Sequence, residues 1–218
     1  NEIVSQILDV KDVVAVTPHL EGQALAKTKS AVTGVVIRGT NWSDLAPKKL
    51  LWDSLDKDSF NNFKNKKQII IGYRLAQRLN VKEGDFISLV SPNGMETALG
   101  SLPLSQNFVV GGFFNIGMYE YDNNFIFIPW EKAESFLSVK NTAHGIEIFL
   151  KDQNLTSVVY SDLINKLGND LIIVDWKKRN SSFMNALAVE KNVMFVILTL
   201  IIIVAAFNII SSMIMLVQ

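Results

Sequence analysis

Apolar and polar residues alternate through the first part of the chain, interrupted by short stretches of helical spacing, and at Val193 the alternation gives way to a long apolar run. Ile3, Ile7 and Leu8 suit the end of a helix entering from upstream, and Val13, Val14 and Val16 read as a strand that ends near Pro18. Gln23–Lys27 and Ala31–Arg38 are two β-prone runs around Lys29 and Ser30, the pattern of a hairpin. Asn41 to Phe63 is polar and irregular, anchored by Trp42, Trp52 and Phe60, with a short helix expected over Lys48–Leu55. A strand at Gln68–Ile71, a helix at Tyr73–Leu79 with Leu75, Ala76 and Leu79 on one face, and a strand at Asp85–Val90 follow; Gly84 supplies the tight return between the last two. Beyond a loop, Ser91–Asn107, strands are expected at Phe108–Phe114, Phe125–Ile128 and His144–Leu150, with a helix at Glu131–Leu137. Leu155–Leu167 reads as an amphipathic helix with Val158, Val159, Leu163 and Leu167 inward and Gly168 at its end, and Leu171–Val174 as a last strand. Strands alternating with short helices predict an α+β domain.

From Val193 to Val217 there are 25 residues without a charge. At about 1.5 Å of rise per residue, such a helix exceeds the roughly 30 Å hydrocarbon core of a bilayer. Its polar exceptions, Thr199, Asn208, Ser211 and Ser212, are groups that a helix or a neighbouring helix can satisfy. No breaker occurs from Ser181 onward, so one helix of 37 residues is expected through Val217, its first turns standing outside the bilayer. The expected organisation is therefore a domain over residues 1–180, a helical stalk over 181–192 and a membrane helix over 193–217. The chain starts at Asn1 and stops where the apolar run stops, which reads as a segment of a longer protein. Lys177, Lys178, Arg179 and Lys191 precede the span; the positive-inside rule alone would hold residues 1–190 in the cytoplasm, but it is weak for long translocated domains.

Charge narrows the class further. All 21 basic and all 21 acidic residues lie before Val193, so the water-facing part is balanced, with neither the basic surplus of a nucleic-acid binder nor an acidic tail. With no cysteine, a disulfide framework, a thiolate metal site and a thiol nucleophile are excluded. His19 and His144 stand 125 positions apart, each beside an apolar strand, and read as structural histidines. Asp53, Asp56 and Asp58 are surrounded by lysines, as in a solvated loop, whereas Glu120 and Asp122 in the tyrosine-interleaved GMYEYD segment suit either a turn or a recognition surface. No phosphate-binding, hydrolase or metalloprotease motif occurs, which argues against an enzyme. The strongest candidate in the domain is the loop Ser91–Asn107, SPNGMETALGSLPLSQN: 17 residues, long for a connection between neighbouring strands, and apolar at Met95, Ala98, Leu99, Leu102 and Leu104.

Three stretches, LAQRLNVKEGDFISLVSP, GMYEYD and VEKNVMFVILTLIIIVAAFNIISSMIMLV, together resemble the LolC/LolE family, membrane subunits of the lipoprotein-releasing ABC transporter of Gram-negative bacteria. The resemblance implies a MacB-like periplasmic domain followed by the second of four membrane helices, in the bacterial inner membrane. It implies a separate LolD-like ATPase that uses ATP and Mg, so that no cofactor is expected in this chain, together with a second LolC/LolE-type subunit, a LolA-like periplasmic chaperone and acylated lipoproteins as cargo. Nucleic acid is not expected. Ser91–Asn107 would occupy the place of the hook that holds the chaperone, making Met95, Leu99, Leu102 and Pro103 contact candidates, with Ser105 and Gln106 on the flanking surface. The resemblance implies arginine on that surface in LolC-like members; none lies in this segment, which leaves a LolE-like or a merged single-type subunit open. Phe183, Leu187, Met194 and Ile197 fall near one face of the long helix, with Glu190 at the interface; this stripe is the candidate contact for lipoprotein acyl chains, the alternative being packing against a neighbour. Competing readings are a MacB-type or FtsX-type permease and, from another class, the sensor domain of a membrane-anchored receptor.

Overall fold

Alternation carries further than Pro18 suggests. After a first helix, α1 (Glu2–Leu8), the chain forms a strand of 15 residues, β1 (Val13–Lys27), which runs straight through the proline. Pairing with β2 (Val32–Thr40) starts only at Leu20, and just beyond Pro18 the His19 carbonyl accepts from His144 N at 3.0 Å. The β1–β2 hairpin closes with Lys27 opposite Val32, as the runs around Lys29 and Ser30 predicted.

The segment read as irregular over 41–63 holds the short helix expected over Lys48–Leu55, α2 (Lys49–Ser54), and in addition a second helix, α3 (Lys57–Asn65). Asp56 caps α3 by accepting from Ser59 N at 2.7 Å, a local bond that polar composition alone does not announce. Then come β3 (Ile69–Gly72), α4 (Tyr73–Leu79), β4 (Phe86–Val90), a hairpin of β5 (Met95–Thr97) and β6 (Gly100–Leu102), β7 (Ser105–Phe114), α5 (Tyr119–Asn124), β8 (Phe125–Pro129), α6 (Trp130–Leu137) and β9 (Gly145–Leu150). The computed structural model describes residues 2–91, 95–97, 100–102, 104–140, 142–168 and 171–217.

Six of these strands close on one another. β2 pairs with β8, β8 with β3, β3 with β7, β7 with β4, β4 with β1, and β1 again with β2. The β2–β8 and β3–β7 pairs are parallel and the other four antiparallel; the mixed pairing reflects helices inserted between strands, as an α+β domain requires. One apolar cluster draws side chains from every strand of the ring, among them Leu20, Ile37, Ile71, Leu89, Phe108 and Ile128, and from α4 and α6. Gly39 permits the approach of α6, since a Cβ there would strike that of Ala133. A second cluster, with Leu45, Leu51, Phe63, Phe114 and Phe127, lies under α2 and α3.

β9 lies outside this ring. It pairs antiparallel with Val13–His19, the half of β1 that extends beyond β2. The chain divides into two compact units, Asn1–Leu155 and Thr156–Gln218. The second unit holds α7 (Thr156–Leu167), α8 (Trp176–Arg179) and α9 (Ser181–Val217). On α7, Val159 and Leu163 are buried as expected, but Val158 is 59% exposed. Leu171–Val174 is not a strand: it is irregular, with Ile172 94% exposed, and among the described residues no strand pairs with it. Asn180 joins α8 to α9, accepting from Met184 N at 3.0 Å through its carbonyl and donating its side-chain amide to Trp176 O at 2.8 Å. From there α9 is unbroken for 37 residues, about 55 Å.

Candidate functional site

Two places in the chain gather the residues that the sequence put forward. The first is the segment between β4 and β7, which folds where an open loop was expected. Met95 stands opposite Leu102, Glu96 opposite Ser101 and Thr97 opposite Gly100 in a two-stranded sheet of its own, separate from the ring. Met95 and Leu102 are therefore register partners in one ladder, while Leu99 and Pro103 lie outside the described residues. In sequence the two strands lie between β4 and β7. β7 begins at Ser105, three residues before the expected Phe108, so Ser105 and Gln106 are strand residues, opposite Val90 and Leu89. Ser105 is exposed and its hydroxyl lies 3.0 Å from that of Ser88; Gln106 is half-buried. At the base, Ser91 N donates to Leu104 O at 2.8 Å.

The second place is α9. Phe183, Leu187, Glu190, Met194 and Ile197 are all exposed, at spacings of four and three that keep them on one side of the helix. Glu190 is the last acidic residue of the chain and Lys191 the last basic one. Among the described residues α9 alone is long and apolar enough to cross a membrane, and the most apolar window has no buried residue. Thr199 satisfies its hydroxyl within the helix, donating to Phe195 O at 2.8 Å.

The GMYEYD segment resolves into structure and surface. Asp122 is fully buried and accepts from Ile116 N at 2.9 Å and Gly117 N at 3.0 Å, so it fastens the turn before α5. Tyr121 stacks on Phe125 with ring centroids 4.4 Å apart. Tyr119 and Glu120 remain exposed, Tyr119 under the Arg74 guanidinium. Among the described residues no group of three or more His, Cys, Asp or Glu is placed to hold a metal ion.

Sequence reasoning missed a charged network on the α2 side of β1, β2 and β9. Arg38, 6% exposed, donates to Glu21 and, from Nη1, to Glu147 Oε1 at 2.6 Å. Lys48 pairs with the other oxygen of Glu147 and lies 3.4 Å from the Thr17 hydroxyl. Phe125 lies under Arg38 and Phe149 under Lys48. Burial pushes the Glu147 carboxyl up, but Lys48 and then Arg38 outweigh it and hold the group below its ordinary value. His19, in the same cluster, is held below its ordinary value by burial and then by Arg38, and its Nδ1 has no hydrogen-bond partner among the described residues. The available signal was a single charge inside an apolar alternation, Arg38 in VVIRG and Glu147 in GIEIF.

No family model matches the chain. It is 31% identical over 94% of its length to the lipoprotein-releasing system transmembrane protein LolC of Neisseria meningitidis serogroup B, covering 50% of that protein. It is 28% identical to LolC of Xylella fastidiosa, again over 94% of the chain, and 23% identical over 93% to the LolE protein of Haemophilus influenzae. The chain spans about half the length of these relatives. In fold it is similar to the periplasmic region of MacB from Actinobacillus actinomycetemcomitans, with a TM-score of 0.51 over 84% of this chain and 82% of that one at 10% identity. The extracellular domain of the noncanonic ABC-type transporter YknZ matches with a TM-score of 0.50 over 77% of the chain and 83% of the other at 14% identity.

Proposed function

We propose, from the LolC/LolE-like sequence carried over 94% of this chain, that it belongs to the permease subunit of an ABC-type transporter that draws acylated lipoproteins out of the bacterial inner membrane and passes them to a periplasmic chaperone. The first unit stands on the periplasmic side and α9 crosses the membrane. The chain itself is non-catalytic; a cytoplasmic LolD-like ATPase binds ATP and Mg, and a second LolC/LolE-type subunit completes the membrane part. The observation that carries this reading is the joint presence, along one LolC-like sequence, of a strand ring of the MacB type and a 37-residue apolar helix.

The physical demands of the task agree with what the chain offers. Withdrawing an acyl chain from a bilayer costs about 0.8 kcal/mol per CH₂. A substrate with several chains therefore needs both a nucleotide-driven stroke and an apolar surface to receive it. The face of α9 bearing Phe183, Leu187, Met194 and Ile197 is such a surface, with Glu190 at its side to meet headgroups or act as a gate. The segment 91–107, whose β5 and β6 pair with each other, is the candidate for holding the chaperone through Met95, Leu99, Leu102 and Pro103, with Ser105 and Gln106 on β7 beside it. A photocrosslinker placed at Leu99 in the complete transporter is expected to capture a lipoprotein chaperone. Crosslinks confined to the subunit's own domain would remove the hairpin from the hand-over, and a Leu187→Asp subunit that still releases lipoprotein at the wild-type rate would remove the α9 stripe from the cargo path.

A further inference from the structure

The pairing scheme divides the first unit into two mechanically different parts. In the ring every strand has a neighbour on both edges. The ribbon of Val13–His19 and β9 does not share in this: β9 has β1 as its strand partner among the described residues, and it pairs with the half of β1 that has left the ring. The polypeptide enters the unit through α1 just before this ribbon and leaves it, after β9, toward α7 and α9. A displacement carried along the chain from α9 therefore reaches the ribbon before it reaches the ring.

Peeling such a ribbon away breaks few backbone bonds at a time, so whatever pins it to the ring decides whether the ring follows. Every hydrogen bond and ion pair described for a side chain of β9 ends on one residue, Glu147. Its two oxygens take separate cations from beyond the ribbon: Oε1 receives Arg38 of β2, and Oε2 receives Lys48, which precedes α2. Arg38 is anchored on the ring side by Glu21, and both cationic side chains are nearly buried, at 8% and 12% exposure. Lys48 also reaches Thr17, the residue opposite Glu147 in the ribbon. One further tie lies next to β9, where His144 Nδ1 is 2.7 Å from the Glu21 carbonyl and 3.2 Å from the Glu21 amide.

We propose that Glu147 is a positioning residue for transport, the latch through which motion of the membrane helix is transmitted into the strand ring. This rests on the permease reading above. The Glu147 side chain is itself 31% exposed, but the two cations it clamps are nearly buried, so losing it leaves their charge without compensation where water reaches them least. The same three groups on an exposed surface would slip at little cost.

The test uses the complete transporter in lipid nanodiscs with a fluorescent triacylated lipopeptide, and reads three quantities on one sample: amide exchange in β9 and in the ring strands β3, β7 and β8, ATP hydrolysis, and lipopeptide release. For Glu147→Gln, exchange over Gly145–Leu150 is expected to rise at least tenfold with the ring strands unchanged, ATP hydrolysis to stay within twofold, and release to fall at least tenfold. The double variant Lys48→Arg/Glu147→Asp, which keeps the charges and the summed reach of the pair, is expected to restore both exchange and release to within threefold. Lys48→Met, which leaves Glu147 with Arg38, is expected to give a smaller change of the same sign and covers the case in which Glu147→Gln fails to fold. Faster exchange in β9 with undiminished release would overturn the latch, as would unchanged exchange. A wild-type complex that releases nothing would instead refute the permease reading, while its exchange data would still decide whether Glu147 pins the ribbon.

Discussion

Gly112 shows how a single missing Cβ sets the layout of a helix. It lies on β7 beneath α3, and a Cβ built there would fall on the side chain of Ser59. Ser59 is itself committed, since its amide bonds Asp56 at the start of the same helix. Gly111 is equally confined, facing Gln68 and Asn62, and its carbonyl accepts from Asn62 Nδ2 at 2.8 Å. The small residues and the polar inner face of α3 are thus one arrangement, in which the helix sits close enough for its asparagine to bond the strand backbone. Gly112→Ala is expected to destabilise the protein by about 1–3 kcal/mol through overpacking, read as a lowered midpoint in chemical denaturation. An unchanged midpoint would mean that α3 rides higher on the sheet than these distances say.

At the scale of elements, the difference between what was legible in the chain and what was not has a physical pattern. Elements announced by their own sequence pattern were readable: α4 through Leu75, Ala76 and Leu79, and α9 through 25 uncharged residues. Elements formed by a partner were not. α3 has the sequence KDSFNNFKN, poor in helix formers, and exists because Asp56 caps it and the two glycines receive it. The hairpin of β5 and β6 was hidden because its strands are three residues each, too short for alternation to register. Leu171–Val174 erred the other way: it has strand composition and no edge to pair with. Of the candidate sites, the positions of the hairpin and of the α9 stripe could be read from apolar content, whereas the Glu147 network depends on three segments meeting. The large apolar side chains of α9 are exposed along its length, and by length and composition it is a candidate membrane span. In a translocon-insertion assay of α9, Ile203→Arg is expected to raise the apparent insertion free energy by about 3 kcal/mol, as for arginine near a helix centre. Ser181→Arg, placed before the apolar run, is expected to shift it by less than about 0.5 kcal/mol on the same depth dependence. Equal effects at both positions would contradict a span centred near Ile203.

At the scale of the whole molecule, the balance of 21 basic and 21 acidic residues conceals a local asymmetry in how the protein meets acid. His19 and Glu147 share one cluster with Arg38, Lys48 and Glu21, and both have their folded values lowered, so their contributions run in the same direction. For His19, burial and Arg38 keep the ring neutral in the fold, whereas the unfolded chain takes up a proton below its ordinary value of 6.5; stability is full above that value and is lost as pH falls below it. For Glu147, burial opposes ionisation but Lys48 and Arg38 overcome it, so the folded state holds the carboxylate charged where the unfolded chain, with an ordinary value of 4.5, begins to protonate. Stability is again present above the unfolded value and lost as pH falls through the folded one. Two successive losses follow at the ribbon of Val13–His19 and β9, a first beginning near neutrality and a second in the carboxylate range; Asp56, held below its ordinary value by its bonds with Ser59, adds a loss in the carboxylate range at α3. Amide exchange across a pH series, corrected for the intrinsic rate of each amide, is expected to show protection in Gly145–Leu150 falling before that of β3 and β8 as pH goes from 7.5 to 4. His19→Gln is expected to remove the first loss and leave the second, and Glu147→Gln to give weak protection already at pH 7.5. If ring and ribbon lose protection together at every pH, the first unit is one mechanical body and Glu147 does not separate a moving part from a fixed one.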